Sequence, residues 1–210
     1  MKAQLIVIEG LEGAGKSTAI ECVQQLLQQV GIDQMIATRE PGGTVFAEKI
    51  RDIVKATEQA EQLLPESELL LMMAARKQLV EHVIKPALAK GCWVIADRHA
   101  LSTWAYQGGG RQLPDDMIQA VHHVILAEFK PDFTLYLDVD PSIGLERIGK
   151  RGQLDRIEQE DLAFFTRIRS KYLELVHTDD NIVLIDASQP LATVQQAIRA
   201  ALMAYYPEFS

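Results

Sequence analysis

The 210-residue sequence has little cysteine and no long hydrophobic run. No apolar run approaches the roughly 20 residues of a membrane-spanning helix, and Met1-Lys2-Ala3 leads directly into the first predicted strand. We therefore expect a soluble protein with no membrane segment and no targeting segment. The two cysteines, Cys22 and Cys92, lack the spacing of metal ligands and suit a reducing compartment, so both are interpreted as small core residues.

Basic residues are also scarce, with 21 Lys and Arg against 29 Asp and Glu and a net charge of −8. This balance argues against a nucleic-acid backbone as the partner. A small phosphorylated substrate is still allowed, because a local basic funnel can override the global sign. No repeat, linker or low-complexity segment divides the chain, and its 48% hydrophobic content is ordinary for a globular protein, so one domain is expected.

The sequence does contain one complete phosphate-binding pattern. Residues 10–17 fit G-x-x-x-x-G-K-[ST] at every fixed position. The apolar run Leu5-Ile6-Val7-Ile8 predicts a buried strand before it, and helical spacing predicts a helix over 18–29 that Gly31 stops. This order suits phosphate, because glycines turn backbone N–H groups inward and the helix N-terminus carries roughly half a positive charge.

The residues predicted to bind the triphosphate are Gly10, Leu11, Glu12, Gly13, Ala14, Gly15, Lys16, Ser17 and Thr18. Lys16 would reach the β- and γ-phosphates, and the Ser17 hydroxyl would hold Mg²⁺. Asp97, at the end of a later apolar strand, is placed to orient the same metal directly or through water. The structural alternative for Asp97 is to cap the next helix, and both roles can hold.

The remaining pattern alternates strands with helices. Further strands are predicted over 34–38, 93–97, 133–139 and 182–185, and helices over about 44–56, 65–85, 115–129, 141–149 and 190–205. Pro86 is expected to kink or end the second of these helices, and Gly108-Gly109-Gly110 to form a flexible hinge. The alternation implies an α/β fold, an open five-stranded parallel sheet with helices on both faces. Ligands then bind beyond the carboxyl ends of the strands, where Gly10, Arg39, Asp97, Asp138 and Asp186 collect.

Several motifs occur in one order along the chain. They are residues 8–17, Thr38-Arg39-Glu40-Pro41-Gly42-Gly43-Thr44, Asp97-Arg98-His99, residues 102–110 and Leu154-Asp155-Arg156-Ile157-Glu158. Together they resemble the bacterial thymidylate kinase family over nearly the whole chain. The resemblance implies a phosphate-loop nucleoside monophosphate kinase fold, a single domain over 1–210 with a lid at about 147–158. It also implies ATP- and Mg²⁺-dependent phosphorylation of dTMP to dTDP, for dTTP biosynthesis, by a cytoplasmic homodimer.

The resemblance also assigns an acceptor site. Its residues are Glu12, Arg39, Met72, Arg76, Arg98, Thr103, Tyr106 and Gln107. Glu12 matches an acid that meets the deoxyribose 3′-hydroxyl, and Arg98 matches the arginine that grips the acceptor phosphate, a task suited to a planar, charged fork. Arg76 and Thr103 match positions that hydrogen-bond thymine, and Tyr106 matches the aromatic under the sugar. Residues 39–44, considered alone, favour a plain turn over a wall of the acceptor site.

Met72 departs from the family, whose members usually carry phenylalanine there to stack on the base. It stands four residues before Arg76 on one predicted helix face, which favours the site over an ordinary place in the core.

The lid sequence from Arg147 to Arg156 is basic and contains two glycines. A solvated charge run is the alternative interpretation. The phosphate loop has no arginine, so the transferring phosphoryl group needs an outside cation, and glycines 149 and 152 suit a hinging segment. The predicted catalytic residues are therefore Lys16, Arg98, Arg151 and Arg147, with Arg151 ahead of Arg147. Gly149 and Lys150 depart from the more arginine-rich lid of the family.

Two other functions compete with this interpretation. The first is another phosphate-loop kinase, for a deoxynucleoside or a different monophosphate. A nucleoside kinase would need a base, for which Glu40 or Asp97 could be recruited. A GTP-hydrolysing switch would need an N-K-x-D segment after a late strand, where residues 138–141 read DVDP and residues 186–190 read DASQP. The latter resembles the adenine-side loop of nucleotide kinases, which favours a kinase.

Overall fold

Five parallel strands form one sheet in the structure, a computed structural model that describes residues 2–57, 61–149 and 153–209. In chain order they are β1 (Leu5–Gly10), β2 (Met35–Arg39), β3 (Trp93–Asp97), β4 (Phe133–Asp138) and β5 (Ile182–Asp186). The spatial order is β2-β3-β1-β4-β5, so β1 lies at the centre. Because every pairing is parallel, the loops after β1, β2 and β3 open at the same edge of the sheet.

Helices connect the strands. They are α1 (Lys16–Gln29), α2 (Val45–Lys55), α3 (Pro65–Leu79), α4 (Lys85–Ala89), α5 (Ala100–Thr103), α6 (Asp115–Leu126), α7 (Pro141–Gly149), α8 (Leu162–Val176) and α9 (Leu191–Tyr205). Two π-helical segments, Val80–Ile84 and Trp104–Gly110, and a short 3₁₀ turn, Pro207–Phe209, complete the described chain. No helix within the described ranges has the length and hydropathy needed to cross a bilayer.

The side chains of β1 point alternately to the two faces of the sheet, and helices cover both faces. Ile6 and Ile8 join a core with α1, α8 and α9, whereas Leu5 and Val7 point to the opposite core, which contains residues of α3 and α6. All four side chains are fully buried. The α/β fold class predicted from the sequence, a five-stranded parallel sheet with helices on both faces, is confirmed.

The helical path continues past Pro86, where it was predicted to kink or end. The π-helical segment Val80–Ile84 follows α3, and α4 then begins at Lys85. Pro86 therefore lies in the first turn of α4, where its missing N–H group costs least. The prediction that Pro86 ends the helix is therefore wrong, whereas a kink at Pro86 stays a prediction.

The prediction of a flexible hinge at Gly108-Gly109-Gly110 was also wrong. These glycines belong to the π-helical segment that packs on α8. A Cβ at Gly109 would lie 2.9 Å from the carbonyl oxygen of Arg167, and one at Gly110 would lie 2.7 Å from the Phe164 ring. The glycines thus permit a close helix contact. Helix α8 itself was missed, although its buried apolar residues recur at helical spacing.

Candidate active site

The phosphate loop joins the end of β1 to the start of α1 at the ligand edge of the sheet. Its turn requires positive φ at Gly10 (145°), Gly13 (75°) and Gly15 (89°), which glycine adopts at little cost. At Gly13 a side chain is excluded for a second reason, because its Cβ would overlap the carbonyl oxygen of Gly144 in α7. The sequence thus folds locally into a loop whose following helix begins at Lys16.

Lys16 folds back over this loop. Its Nζ donates to the carbonyl oxygens of Gly10 at 3.3 Å and Leu11 at 3.0 Å. Burial, with a further contribution from the charge of Arg98, lowers the pKa of Lys16 to about 8. A phosphate group beside Nζ would favour the charged form, so the position suits a triphosphate.

A cleft of about 280 Å³ opens beside the loop. The predicted residues that line it are Glu12, Gly13, Gly15, Lys16, Ser17, Thr18, Arg39, Met72, Asp97, Arg98, Tyr106 and Gln107. Predicted donor-side and acceptor-side residues therefore share one cavity. Gly10 and Leu11 lie behind its wall, and Ala14 lines a neighbouring cavity.

Arg98 connects the two sides of the cleft. It follows β3 with a positive φ of 72°, and its guanidinium donates to Glu12 Oε1 at 2.6 Å and to the Tyr106 hydroxyl at 2.8 Å. The Tyr106 hydroxyl in turn donates to Glu12 Oε2 at 2.5 Å. Burial alone would raise the pKa of Glu12, but the charges of Arg98 and Lys16 and the hydrogen bond from Tyr106 outweigh it and lower that pKa.

A buried carboxylate in β1 anchors this arrangement. Glu9 accepts hydrogen bonds from the backbone N–H groups of His99 at 2.8 Å and Ser102 at 3.2 Å. The Ser102 and Tyr172 hydroxyls donate to its other oxygen at 2.6 and 2.8 Å. The turn after Arg98 is therefore fixed to the central strand. Glu9 had no predicted role, although a carboxylate next to an apolar strand implies buried donors.

Asp97 and Ser17 face the same cleft and offer oxygen ligands. The Oδ1 atom of Asp97 is buried and has no hydrogen-bond partner in the described part of the chain. Carboxylate and hydroxyl oxygens are the ligands that Mg²⁺ prefers. Within the described ranges no group of three or more His, Cys, Asp or Glu side chains could hold a metal. The pair thus fits a magnesium ion held mainly by substrate phosphates and water.

Two residues predicted to read thymine lie behind the cleft wall. The buried Arg76 guanidinium donates to Glu40 Oε2 at 2.5 Å, to Thr103 Oγ1 at 2.6 Å and to the carbonyl oxygen of His99 at 2.8 Å. Thr103 is buried with it, and neither residue lines the cleft. Met72, one turn before Arg76 on α3, does line it. Contact of Arg76 and Thr103 with a base stays a prediction.

Glu40 is the buried partner of Arg76 and also lines the cleft. Burial raises the pKa of Glu40 to about 7, although the charge of Arg76 opposes the shift. His99 Nε2 lies 3.7 Å from Glu40 Oε1, and burial, with the charge of Arg76, lowers the pKa of His99 well below its usual value. Arg39, in contrast, is half exposed at the rim and pairs with Glu48 at 2.8 Å.

Both ends of the predicted lid lie beside the phosphate loop or the cleft. Arg147, at the end of α7, donates to the carbonyl oxygen of Gly13 at 3.0 Å. Ile157 and Glu158 line the cleft itself. Lys150, Arg151 and Gly152 lie outside the described residues, so the first predicted lid cation stays a prediction.

A second cavity of about 220 Å³ lies beyond Arg147. It is lined by Ala14, Gly15, Thr18, Ala19, Arg147, Ala187, Gln189, Leu191, Val194, Gln195 and Ile198. The loop after β5, predicted to lie beside adenine, therefore borders the phosphate loop.

The parallel sheet, the phosphate loop and the two-sided cleft define an α/β phosphate-loop nucleotide kinase. A profile of the thymidylate kinase family matches residues 8–198, and the chain belongs to that family. It is 56% identical to a thymidylate kinase of Vibrio campbellii over 202 residues, which cover 96% of each chain. It is 55% identical to one of Vibrio parahaemolyticus over 202 residues, again 96% of each, and 56% identical to one of Vibrio vulnificus over 201 residues, 96% of this chain and 95% of the relative.

Proposed function

We propose that this protein transfers the γ-phosphoryl group of ATP to dTMP, giving ADP and dTDP, as a single domain over 1–210 in the cytoplasm. Family membership supports the reaction. The observation that supports it most directly is the 2.6 Å contact between Arg98 and Glu12, because Arg98 would there offer a cation to an acceptor phosphate beside the donor loop. A guanidinium fork suits a phosphate monoester.

The reaction needs no general base. The acceptor is a phosphate monoester whose second pKa is about 6, so near neutral pH it is mostly a dianion. One of its oxygens attacks the γ-phosphorus, and the bond from that phosphorus to the bridging oxygen of ADP breaks. Lys16 binds the donor phosphates, Arg98 binds the acceptor phosphate, and Arg151 with Arg147 neutralises charge in the transition state. Catalysis is thus alignment and charge neutralisation.

Mg²⁺ is assigned to Ser17 and Asp97, directly or through water. When bound, the ion would supply positive charge that neutralises the donor phosphates. The unpartnered Asp97 Oδ1 supports this assignment. Lid closure over the nucleotide would exclude water and so prevent hydrolysis of ATP.

The remaining acceptor residues divide between sugar and base. Glu12 and Tyr106 are assigned to the deoxyribose, and Arg39 to the rim of the acceptor loop. Met72 and Gln107 face the thymine, with Arg76 and Thr103 one layer behind them.

The test is a panel of nucleoside monophosphates, with thymidine included, assayed with ATP and Mg²⁺ by ADP release. We expect dTMP to give the highest kcat/KM. Transfer to thymidine but not to dTMP would instead make the protein a nucleoside kinase. GTP hydrolysis without an acceptor would favour a switch.

The protein is also proposed to be a homodimer. Met117 and Val124 lie two turns apart on one face of α6 and are 38% and 81% exposed, and Leu70, on the adjoining α3, is 58% exposed. We expect sedimentation to give twice the chain mass of 23.4 kDa. Val124→Glu should shift the protein towards monomer, since it places a charge in the apolar contact.

The control is Met203→Glu, which adds the same charge on α9, across the sheet from α3 and α6. Equal masses for both variants and the parent would contradict a dimer through the α3 and α6 face.

Met72→Phe is expected to tighten dTMP binding by about 1 kcal/mol, because an aromatic ring stacks on a base better than a flexible thioether does. ATP affinity should not change. Calorimetric titration of both ligands checks this. An unchanged dTMP affinity, or an equal change for ATP, would remove Met72 from the acceptor site.

A further inference from the structure

One buried carboxylate outside the phosphate site joins three parts of the structure. Glu68 lies in the first turn of α3 and is almost fully buried. Its Oε1 accepts a hydrogen bond from Gln107 Nε2 at 2.7 Å, and its Oε2 accepts one from Arg156 at 2.5 Å. Arg111 Nε lies 3.2 Å from the same Oε2. A buried carboxylate needs such partners, and here two guanidinium groups supply the opposite charge.

The bond to Glu68 determines which way the Gln107 amide faces. An amide has a donor end and an acceptor end, whereas a carboxylate only accepts. The NH₂ group of Gln107 is therefore committed to Glu68, and its Oε1 is left on the other side. Gln107 is buried and lines the cleft, and this Oε1 has no hydrogen-bond partner among the described residues. A ligand in the cleft would supply the missing donor.

The face of α3 that carries Glu68 also carries residues assigned to the acceptor base. Glu68, Met72 and Arg76 follow one another at intervals of one helical turn. Met72 lines the cleft with Gln107, whereas Glu68 lies behind them. Helix α3 thus carries both Met72, which is proposed to face the base, and Glu68, which orients the Gln107 amide.

We propose that Glu68 is a positioning residue for base selection, which holds the Gln107 carbonyl oxygen towards the acceptor base. This inference rests on the proposed function. Thymine and uracil carry an N–H group at ring position 3, whereas cytosine carries a lone pair there. The fixed Gln107 carbonyl oxygen accepts a hydrogen bond from this N–H group of thymine or uracil. With cytosine it would face the ring lone pair, so two buried acceptors would lie opposite each other, an arrangement that polar sites reject strongly.

Glu68→Gln tests the inference. The new amide is isosteric but can donate, so the Gln107 amide is free to turn over. We expect kcat/KM for dTMP and dUMP to fall together, by about 10- to 100-fold, because the N–H group of the base loses its acceptor. The dTMP-to-dUMP ratio should stay constant. The dCMP value should not fall, so the preference for dTMP over dCMP should shrink by the same factor.

A double variant and a matched control make the test specific. Glu68→Gln with Gln107→Glu reverses the donor and the acceptor of the pair and again leaves an oxygen towards the base, so the preference for dTMP should return. Glu66→Gln removes the same charge from an exposed residue in the same turn of α3 and should leave all three nucleotides unchanged. All three nucleotides are also titrated by calorimetry.

An unchanged preference for dTMP over dCMP in Glu68→Gln would overturn the inference, as would an equal loss for all three nucleotides. If that variant does not fold, Glu68→Asp replaces it, because the shorter side chain releases the amide and keeps its charge beside the arginines. The same loss of preference is expected there, and an unchanged preference overturns the inference. No transfer to dTMP by the parent protein would instead refute the proposed function.

Discussion

Arg98→Ala is expected to lower kcat/KM for dTMP by about 10³-fold, through weaker dTMP binding and slower phosphoryl transfer. Arg98 lies in the cleft and pairs with Glu12 at 2.6 Å. Its removal takes away a cation and also leaves the Glu12 carboxylate without its ion-pair partner where the acceptor phosphate must bind. Two anions then face each other, so the pKa of Glu12 should rise in the variant.

Lys16→Ala is the comparison that separates the two sides of the site. Lys16 contacts the phosphate loop itself, so its removal should abolish turnover while dTMP binding is retained. Arg98→Lys keeps the charge but loses the fork, and it should recover only part of the activity. Steady-state kinetics with dTMP titrations by calorimetry check all three variants. Normal dTMP binding and turnover in Arg98→Ala would show that Arg98 does not bind the acceptor.

The phosphate loop and the sheet could be predicted because their signals are local. The loop motif, the apolar run before it and the helical spacing after it lie within about 30 consecutive residues, and the periods of strands and helices were enough to give the parallel sheet. Gly13 shows the limit of this approach. Its positive φ is expected from the motif, but the overlap of a side chain with Gly144 depends on residues 131 positions apart.

The partners of the buried carboxylates Glu9 and Glu68 could not be predicted from spacing. Glu68 meets Gln107, Arg111 and Arg156, which are 39, 43 and 88 residues away along the chain. Glu9 meets Ser102 and Tyr172 across even longer separations. Such contacts appear only when the sheet and helices have packed. A single polar residue in an apolar strand or on a buried helix face signals that partners exist, without identifying them.

The lid differs from these buried carboxylates, because the assignment of Arg151 comes from the sequence and not from the structure. The structure places Arg147 against the phosphate loop, through its bond to the Gly13 carbonyl oxygen at 3.0 Å. The end of the lid is fixed to α2, because Arg156 Nε donates to the Val54 carbonyl oxygen at 2.8 Å and Asp155 pairs with Lys55 at 2.5 Å. Arg151 itself lies outside the described residues, so its role in phosphoryl transfer stays a prediction from the sequence.

Arg151→Ala is therefore expected to lower kcat by about 10³- to 10⁵-fold, the range found for arginines that stabilise a transferring phosphoryl group. The KM for ATP should change much less, because the side chain acts in the transition state more than in the bound ground state. Lys150→Ala serves as the control, since it removes a neighbouring charge from the same segment.

Arg147→Ala should have a smaller effect on kcat than Arg151→Ala, because the Arg147 guanidinium already has a carbonyl partner in the phosphate loop. Its loss should instead loosen the contact between α7 and Gly13 and raise the KM for ATP. Steady-state kinetics at saturating dTMP measure both constants for each variant. If Arg151→Ala keeps full turnover while Arg147→Ala or Lys150→Ala loses it, the phosphoryl group is stabilised by that other residue.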